Sequence, residues 1–201
     1  MSPKIVDKDE KKKQIVKAAM SVFAQKGLNN TKMIDIAQAA SIGKGTIYEY
    51  FRSKDEIFRE AFKLFKDETD TEIGKRMFLL TDPKEKLVVF VQASFEVYLK
   101  YAEFVEVLFD FWAEGIRERD KKADLQLKQL YQEYRQYIAA ILDEGIQTGA
   151  FRKMNSTLVA STIFGAMDGL TLQWILSKQE FPIIEAGKEF LETILKGIET
   201  K

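Results

Sequence analysis

TKMIDIAQAASIGKGTIYEYFRSK, residues 31–54, decides how this chain is read. Met33, Ile34, Ile36, Ala37 and Ala40 recur at spacings of three and four, which draws one apolar face on a helix. Thr31 stands ahead of that face as an N-cap. Ser41, Ile42 and Gly43 supply a turn. A second helix of about two turns, GKGTIYEYF, follows with Ile47 and Phe51 four apart on its inner side. Lys44, Gly45, Thr46, Tyr48 and Tyr50 are left outside, and Glu49 is the one carboxylate there. Such a surface suits a helix laid in the major groove of DNA. Lysine and tyrosine reach phosphates, threonine reaches a base edge, and glycine lets the backbone approach.

Composition narrows the rest. Three prolines and eleven glycines in 201 residues favour long helices over a turn-rich β fold, so the fold class is all-α. The chain has no histidine, the commonest general base and metal ligand. It has no cysteine either, hence no disulfide and no thiol switch. No phosphate-loop motif stands in their place, so an enzyme, a metal site and a resident cofactor are not expected. There is no run of 18 uncharged apolar residues and no signal-peptide pattern, which leads us to expect a cytoplasmic protein with no membrane partner. Net charge is zero overall, but the charge is unevenly placed. Residues 1–60 hold 12 basic and 8 acidic side chains, a net of +4, and residues 61–201 hold 19 and 23, a net of −4. A basic head on an acidic body is the asymmetry expected if only the head meets phosphate.

Taken in order, residues 1–10 read as an arm, with Lys4 and Lys8 leading into Lys11, Lys12 and Lys13. A helix over about 10–26 follows, with Ile15, Ala18, Ala19, Val22 and Phe23 inward and Gly27 at its C′ position. After the two-helix motif, Ser53 and Glu56 have the spacing of a capping box and open a long helix to about Phe78. Asp82, Pro83 and Glu85 open the next, which is apolar nearly all round and so belongs at a centre. The apolar run Phe104–Trp112 comes after it, and its Asp110 is one of several carboxylates available to a cation. Helices are then expected over about 120–148, with Leu125 and Leu130 on its stripe, over 157–177 behind an Asn155 or Ser156 cap, and over 183–199. Gly165, Ala166 and Gly169 allow close helix approach. Asp168 is a charge within an apolar face, so it is a buried partner for a cation or hydroxyl, or a polar anchor for a ligand.

The run Gly27, Thr31, Ile36-Ala37, Ala40 and Gly45-Thr46-Ile47-Tyr48-x-Tyr50-Phe51-x-Ser53-Lys54 resembles the DNA-binding domain of the TetR family of transcriptional regulators. Ser41 stands where glycine is common in that family, and Gly43 where a capping serine is common. The resemblance implies a three-helix helix-turn-helix domain over residues 1–53, its motif at about 31–51, and a helical effector-binding and dimerisation domain over 54–201. It implies phosphate contacts for Thr31, Tyr48, Tyr50 and Lys54, and base or groove contacts for Lys44, Gly45 and Thr46. Lys32 completes the candidate DNA-binding set. The helices at about 120–148 and 157–177 would pair across a homodimer as a four-helix bundle. The phrase EGIQTGAF and the helix IFGAMDGLTLQWIL look similar to fatty-acid-responsive members. Candidate lining residues of an effector pocket are Phe65, Phe90, Phe95, Tyr98, Phe109, Trp112, Tyr134, Ile138, Phe164, Met167, Asp168 and Trp174. The resulting expectation is a repressor released from a pseudo-palindromic operator in double-stranded DNA by a hydrophobic small molecule such as a fatty acyl-CoA. A multidrug-responsive repressor of an efflux gene is one alternative. A helical ligand-binding protein whose head has lost DNA binding is the other.

Overall fold

The computed structural model describes residues 8–118 and 121–200, and for residues 110, 114–118 and 121–126 only the backbone. The arm as far as residue 7, including Lys4, and the side chains of Asp110 and Leu125 therefore lie outside the described residues. Nine α-helices are present among those described: α1 Lys8–Asn30, α2 Met33–Ala39, α3 Lys44–Tyr50, α4 Lys54–Met77, α5 Pro83–Lys100, α6 Ala102–Glu118, α7 Lys121–Gln147, α8 Ser156–Leu176 and α9 Ile183–Ile198. The one β feature among them is an isolated antiparallel bridge between Phe151 and Glu199. Gly27 breaks α1 with φ 71°, in the left-handed region that glycine occupies without steric cost. Asn155 caps α8, its side-chain oxygen accepting from the Leu158 N–H at 3.0 Å.

The chain packs as two compact units, divided at other places than the boundary expected after residue 53. The first unit comprises Met1–Glu68 together with Tyr101–Arg117, so α6 returns to pack with the head. The reason lies in the aromatic side chains. Phe58 of α4 stands 5.6 Å from Phe23 of α1, 5.8 Å from Phe104 and 4.5 Å from Phe111, ring centre to ring centre. Phe65 packs on Tyr101 and Phe104 in the same way. Burying such rings removes much apolar surface from water, and the edge-on arrangements add to it. Ile15, Ala19 and Phe23 of α1, Ile36 and Ala37 of α2, and Ile47 and Phe51 of α3 close this core.

The second unit comprises Thr69–Lys100 and Glu118–Lys201. Within it α5 packs on α7 and α9, and α8 packs on α7 and α9. The expectation of a central α5 is met, since Leu87, Phe90, Val91, Ala93, Phe95 and Val97 are all buried. Gly187 lets α9 lie close: a Cβ there would fall 2.5 Å from the Phe95 ring and 3.3 Å from Val91. Gly145 gives the Phe151 ring the same room, and Phe151 then meets the chain's end. Arg152 N–H donates to the Ile198 carbonyl at 2.8 Å, and Thr200 N–H to that of Ala150 at 3.2 Å. The outward side of α7 is polar, with Lys128, Gln129, Gln132, Glu133 and Gln136 exposed. The apolar stripe of α7 packs on α5 and α8. By length and composition α8 is apolar enough to cross a membrane, though Asp168 sits within it and it packs on α7 and α9.

Candidate nucleic-acid interface and the polar core of the body

The head is built from capped corners. Lys32, not Thr31, is the N-cap of α2, and its N–H donates to the Asp35 carboxylate at 2.9 Å. Lys26 pairs with the same carboxylate at 2.8 Å, and these bonds, Lys26 first, hold Asp35 below the usual carboxylate range. Thr31 is buried, and its hydroxyl donates to the Gly27 carbonyl at 2.7 Å. Thr31 thus fastens the corner after α1, and Lys32 takes the N-cap position expected of Thr31. Lys32 is exposed.

The turn between α2 and α3 is a Schellman motif. Ile42 N–H donates to the Ala37 carbonyl at 2.9 Å and Ser41 N–H to that of Gln38 at 3.0 Å. Ser41 has φ 55°, the left-handed position where glycine is favoured. Gly43 caps α3 in an extended conformation. Ile47 and Phe51 are fully buried, which fixes the rotation of α3 about its axis. Lys44, Gly45, Tyr48 and Glu49 are then exposed, and Thr46 and Tyr50 are half-buried. A Cβ on Gly45 would meet nothing within 4 Å. Lys12 stands over the Phe51 ring at 5.7 Å.

Lys54, expected on a phosphate, makes two bonds within the head. Its Nζ donates to the carbonyls of Leu28 at 2.8 Å and Asn29 at 2.7 Å, and so ties the start of α4 to the end of α1. Ser53 caps α4 as expected, accepting from the Glu56 N–H at 3.2 Å. The Glu56 carboxylate reaches one residue further back than a capping box requires, to the Arg52 N–H at 2.7 Å.

The twelve candidate pocket residues are shared between the two units. Phe65, Phe109 and Trp112 lie in the first unit, and the other nine in the second. Of those nine, Ile138, Met167, Trp174, Phe90 and Phe95 are core side chains with almost no exposure. The rest gather around buried polar groups. Tyr131 donates to the Asp168 carboxylate at 2.5 Å, and Tyr134 donates to Asp70 at 2.9 Å. Phe164 stands 5.0 Å from the Tyr131 ring and 5.4 Å from that of Tyr134. Burial pushes the Asp168 carboxyl up to about 6, and the Tyr131 hydroxyl works against that shift. The phenols of Tyr98, Tyr131 and Tyr134 are pushed well above their ordinary value by burial first, and then by the charges beside them, Asp168 for Tyr98 and Tyr131, Tyr98 and Asp70 for Tyr134. Of the roles open to Asp168, the structure shows a hydroxyl partner. Tyr131 and Asp70 were missed as members of this cluster. The signal for Tyr131 was its place on the α7 stripe, and no sequence spacing links Asp70 to Tyr134. Separately, a groove of about 230 Å³ opens between α5 and α9, walled by Val88, Val91, Leu191 and Leu195 with Lys188 and Glu192 beside them. None of the twelve candidates lines it.

Comparison with known proteins agrees with this architecture. Residues 15–61 match the family "Bacterial regulatory proteins, tetR family", and residues 58–197 match "YsiA-like protein, C-terminal region". The fatty acid metabolism regulator protein of Bacillus subtilis is 26% identical over 193 residues, covering 94% of this chain and 95% of that one. Among solved structures, the fatty acid degradation regulator FadR of Bacillus halodurans superposes with a TM-score of 0.78 at 25% identity, over 93% of this chain and 95% of that one. FadR of Bacillus subtilis in complex with stearoyl-CoA has the same fold, with a TM-score of 0.77 at 24% identity over 93% and 99%.

Proposed function

The chain belongs to the TetR family of bacterial regulatory proteins, and from that premise we propose that it is a repressor which leaves a pseudo-palindromic operator when a long-chain acyl-CoA fills its helical body. The observation that carries the DNA-binding half is the rotation of α3. With Ile47 and Phe51 buried, Lys44, Gly45 and Tyr48 face outward together. Lys44 and Tyr48 serve phosphates, Gly45 and Thr46 the groove, and Lys32 and Tyr50 the flanking backbone. The operator would carry two half-sites about 34–36 Å apart or slightly more. The protein acts in the cytoplasm, where that DNA is.

Two recognition helices require two chains. We place the homodimer contact on α8, with α7 behind it. Leu158, Thr162, Gly165, Gly169, Leu172 and Leu176 are all exposed on α8 and recur at alternating spacings of four and three. That is the seam of a left-handed helix pair, with leucines at both ends and small residues in the middle. A Cβ on Gly165 or Gly169 would meet nothing within 4 Å, so both are open to a neighbour.

The effector reading rests on the relatives and on the apolar, aromatic body. The acyl chain suits the rings of the second unit, and the Tyr98, Tyr131 and Asp168 group offers polar anchors to its head. A flat cationic effector is the second reading, favoured by a buried carboxylate among aromatic faces. One experiment separates them. An operator enriched from genomic fragments is titrated with protein, then with acyl-CoAs of rising chain length and with quaternary ammonium compounds. Release by long chains alone supports the lipid reading. Release by cations alone moves the effector to the second reading, and release by neither removes both.

A further inference from the structure

We propose that Glu49 selects a cytosine in each half-site, accepting a hydrogen bond from that base's exocyclic amino group in the major groove. The proposal rests on the DNA-binding reading above. It begins with the rotation of α3. Ile47 and Phe51 are each two residues from Glu49, about 200° round the helix. Both are buried, so Glu49 points almost directly away from the core, and it is exposed. Lys44 and Tyr48 lie toward one side of it, and Thr46 and Tyr50 toward the other. A helix entering a groove puts its flanks against the two phosphate walls and its centre over the base edges. The centre of this face is occupied by Gly45 and Glu49, one turn apart.

Gly45 shows that the centre is kept low on purpose. Glycine within a helix makes folding roughly fivefold less favourable than alanine does, and no described atom stands where a side chain at 45 would go. Packing within the protein does not call for glycine there. A helix seated deep in a groove does, and depth brings Glu49 to the base edges.

Glu49 is also uncommitted. Asp35 and Glu56 of the head are in use, Asp35 on Lys26 and the Lys32 N–H and Glu56 on the Arg52 N–H, and Glu49 is the carboxylate on the outer face of α3. Among the described residues Glu49 has neither a hydrogen bond nor an ion pair. A carboxylate only accepts, and phosphates repel it, so its partner on DNA must be an amino group on a base. The major groove shows two, cytosine N4 and adenine N6. Adenine sets its N7 acceptor beside N6, which opposes the second carboxylate oxygen. Cytosine has no acceptor at that place, and is the base chosen.

The test is selection from a randomised duplex library, with the full-length protein and its Glu49→Ala and Glu49→Gln variants. The wild type should enrich cytosine at one symmetric position per half-site by about tenfold or more over the other bases. Glu49→Ala should lose that preference, keep the rest of the consensus and bind random duplex more tightly. Glu49→Gln should move the preference to adenine, since an amide pairs with adenine N6 and N7. The same consensus from wild type and Glu49→Ala would overturn the proposal and leave DNA binding standing. Adenine selected by the wild type would overturn the base assignment. No consensus with any of the three proteins would bring down the DNA-binding reading itself.

Discussion

Asp168→Asn should make the protein more stable near neutral pH and leave it unchanged in acid. Asp168 lies on α8, its carboxyl raised from 3.8 to about 6 chiefly by burial, while the Tyr131 hydroxyl donates to it. Between those two values the folded protein holds a proton that the unfolded chain has released. By linkage its stability contribution is complete below 3.8 and is lost as the pH climbs through 6. About two pH units, at about 1.4 kcal/mol each, put the loss near 3 kcal/mol. Asparagine has nearly the same shape, can still accept from Tyr131, and carries no charge at any pH. The variant should therefore match the wild type near pH 4 and exceed it by roughly 2–3 kcal/mol at pH 7.5. Trp174 on the same helix is buried and reports on this unit, so urea unfolding followed by its fluorescence in a Trp112→Phe background isolates the effect. Measurements at four values between about pH 4 and 7.5 trace the window. A difference between variant and wild type that does not change with pH, or a loss at neutral pH, would refute the reasoning. Asp168 would then be ionised and well satisfied in the folded state.

Three further outcomes follow from single contacts. Ser41→Gly relieves a left-handed residue at φ 55°, worth about 1–2 kcal/mol, against the greater freedom glycine has when unfolded. Calorimetry should show a net gain of about 0.5–1 kcal/mol, a rise in Tm of about 2 °C; a fall would mean that the serine side chain contributes to the turn. Gly187→Ala places a methyl 2.5 Å from the Phe95 ring, which is fully buried. Thermal melts by circular dichroism should drop by several degrees, about 1–3 kcal/mol of overpacking, where the same change in an open helix would stabilise. Lys54→Met removes the tie to Leu28 and Asn29. Operator affinity should fall while the slope of log affinity against log salt stays the same; a slope shallower by about 0.9 would return Lys54 to a phosphate.

The head was legible because its signals are local. Apolar spacing of three and four, Gly27 at a helix end and the odd Ser41 in the turn all act within a few residues, and each has a counterpart in the coordinates. Long-range contacts left no such trace. Lys54 meets carbonyls 25 and 26 residues away, and Tyr134 meets an aspartate 64 residues back. Periodicity says which side of a helix is apolar but not which neighbour covers it. For that reason α6 was read with the body although its phenylalanines pack on Phe58 and Phe65, and Phe109 and Trp112 were grouped with rings of the other unit. Thr31 was misassigned because two uses of a hydroxyl, capping the helix ahead or closing the turn behind, fit the same spacing.

Local rules are broken at three places, and their positions form an argument of their own. Ser41 stands in a glycine conformation, Gly45 lies in the first turn of a seven-residue helix, and Asp168 keeps a carboxylate in an apolar helix. Together they cost several kcal/mol, a large share of the 5–15 kcal/mol that holds a typical domain. Elsewhere local preference and packing agree: capped helices, buried stripes, glycines where rings approach. A sequence consistent at so many points can lose such costs by single substitutions. On the proposed function Gly45 would face the floor of a DNA groove. On the same reading Asp168 would also meet the polar end of an effector, which would return in binding what the free protein gives up in stability. Asp168→Asn then links the two ends of the mechanism: the stabler protein should hold its operator as tightly as the wild type and release it less readily when effector is added.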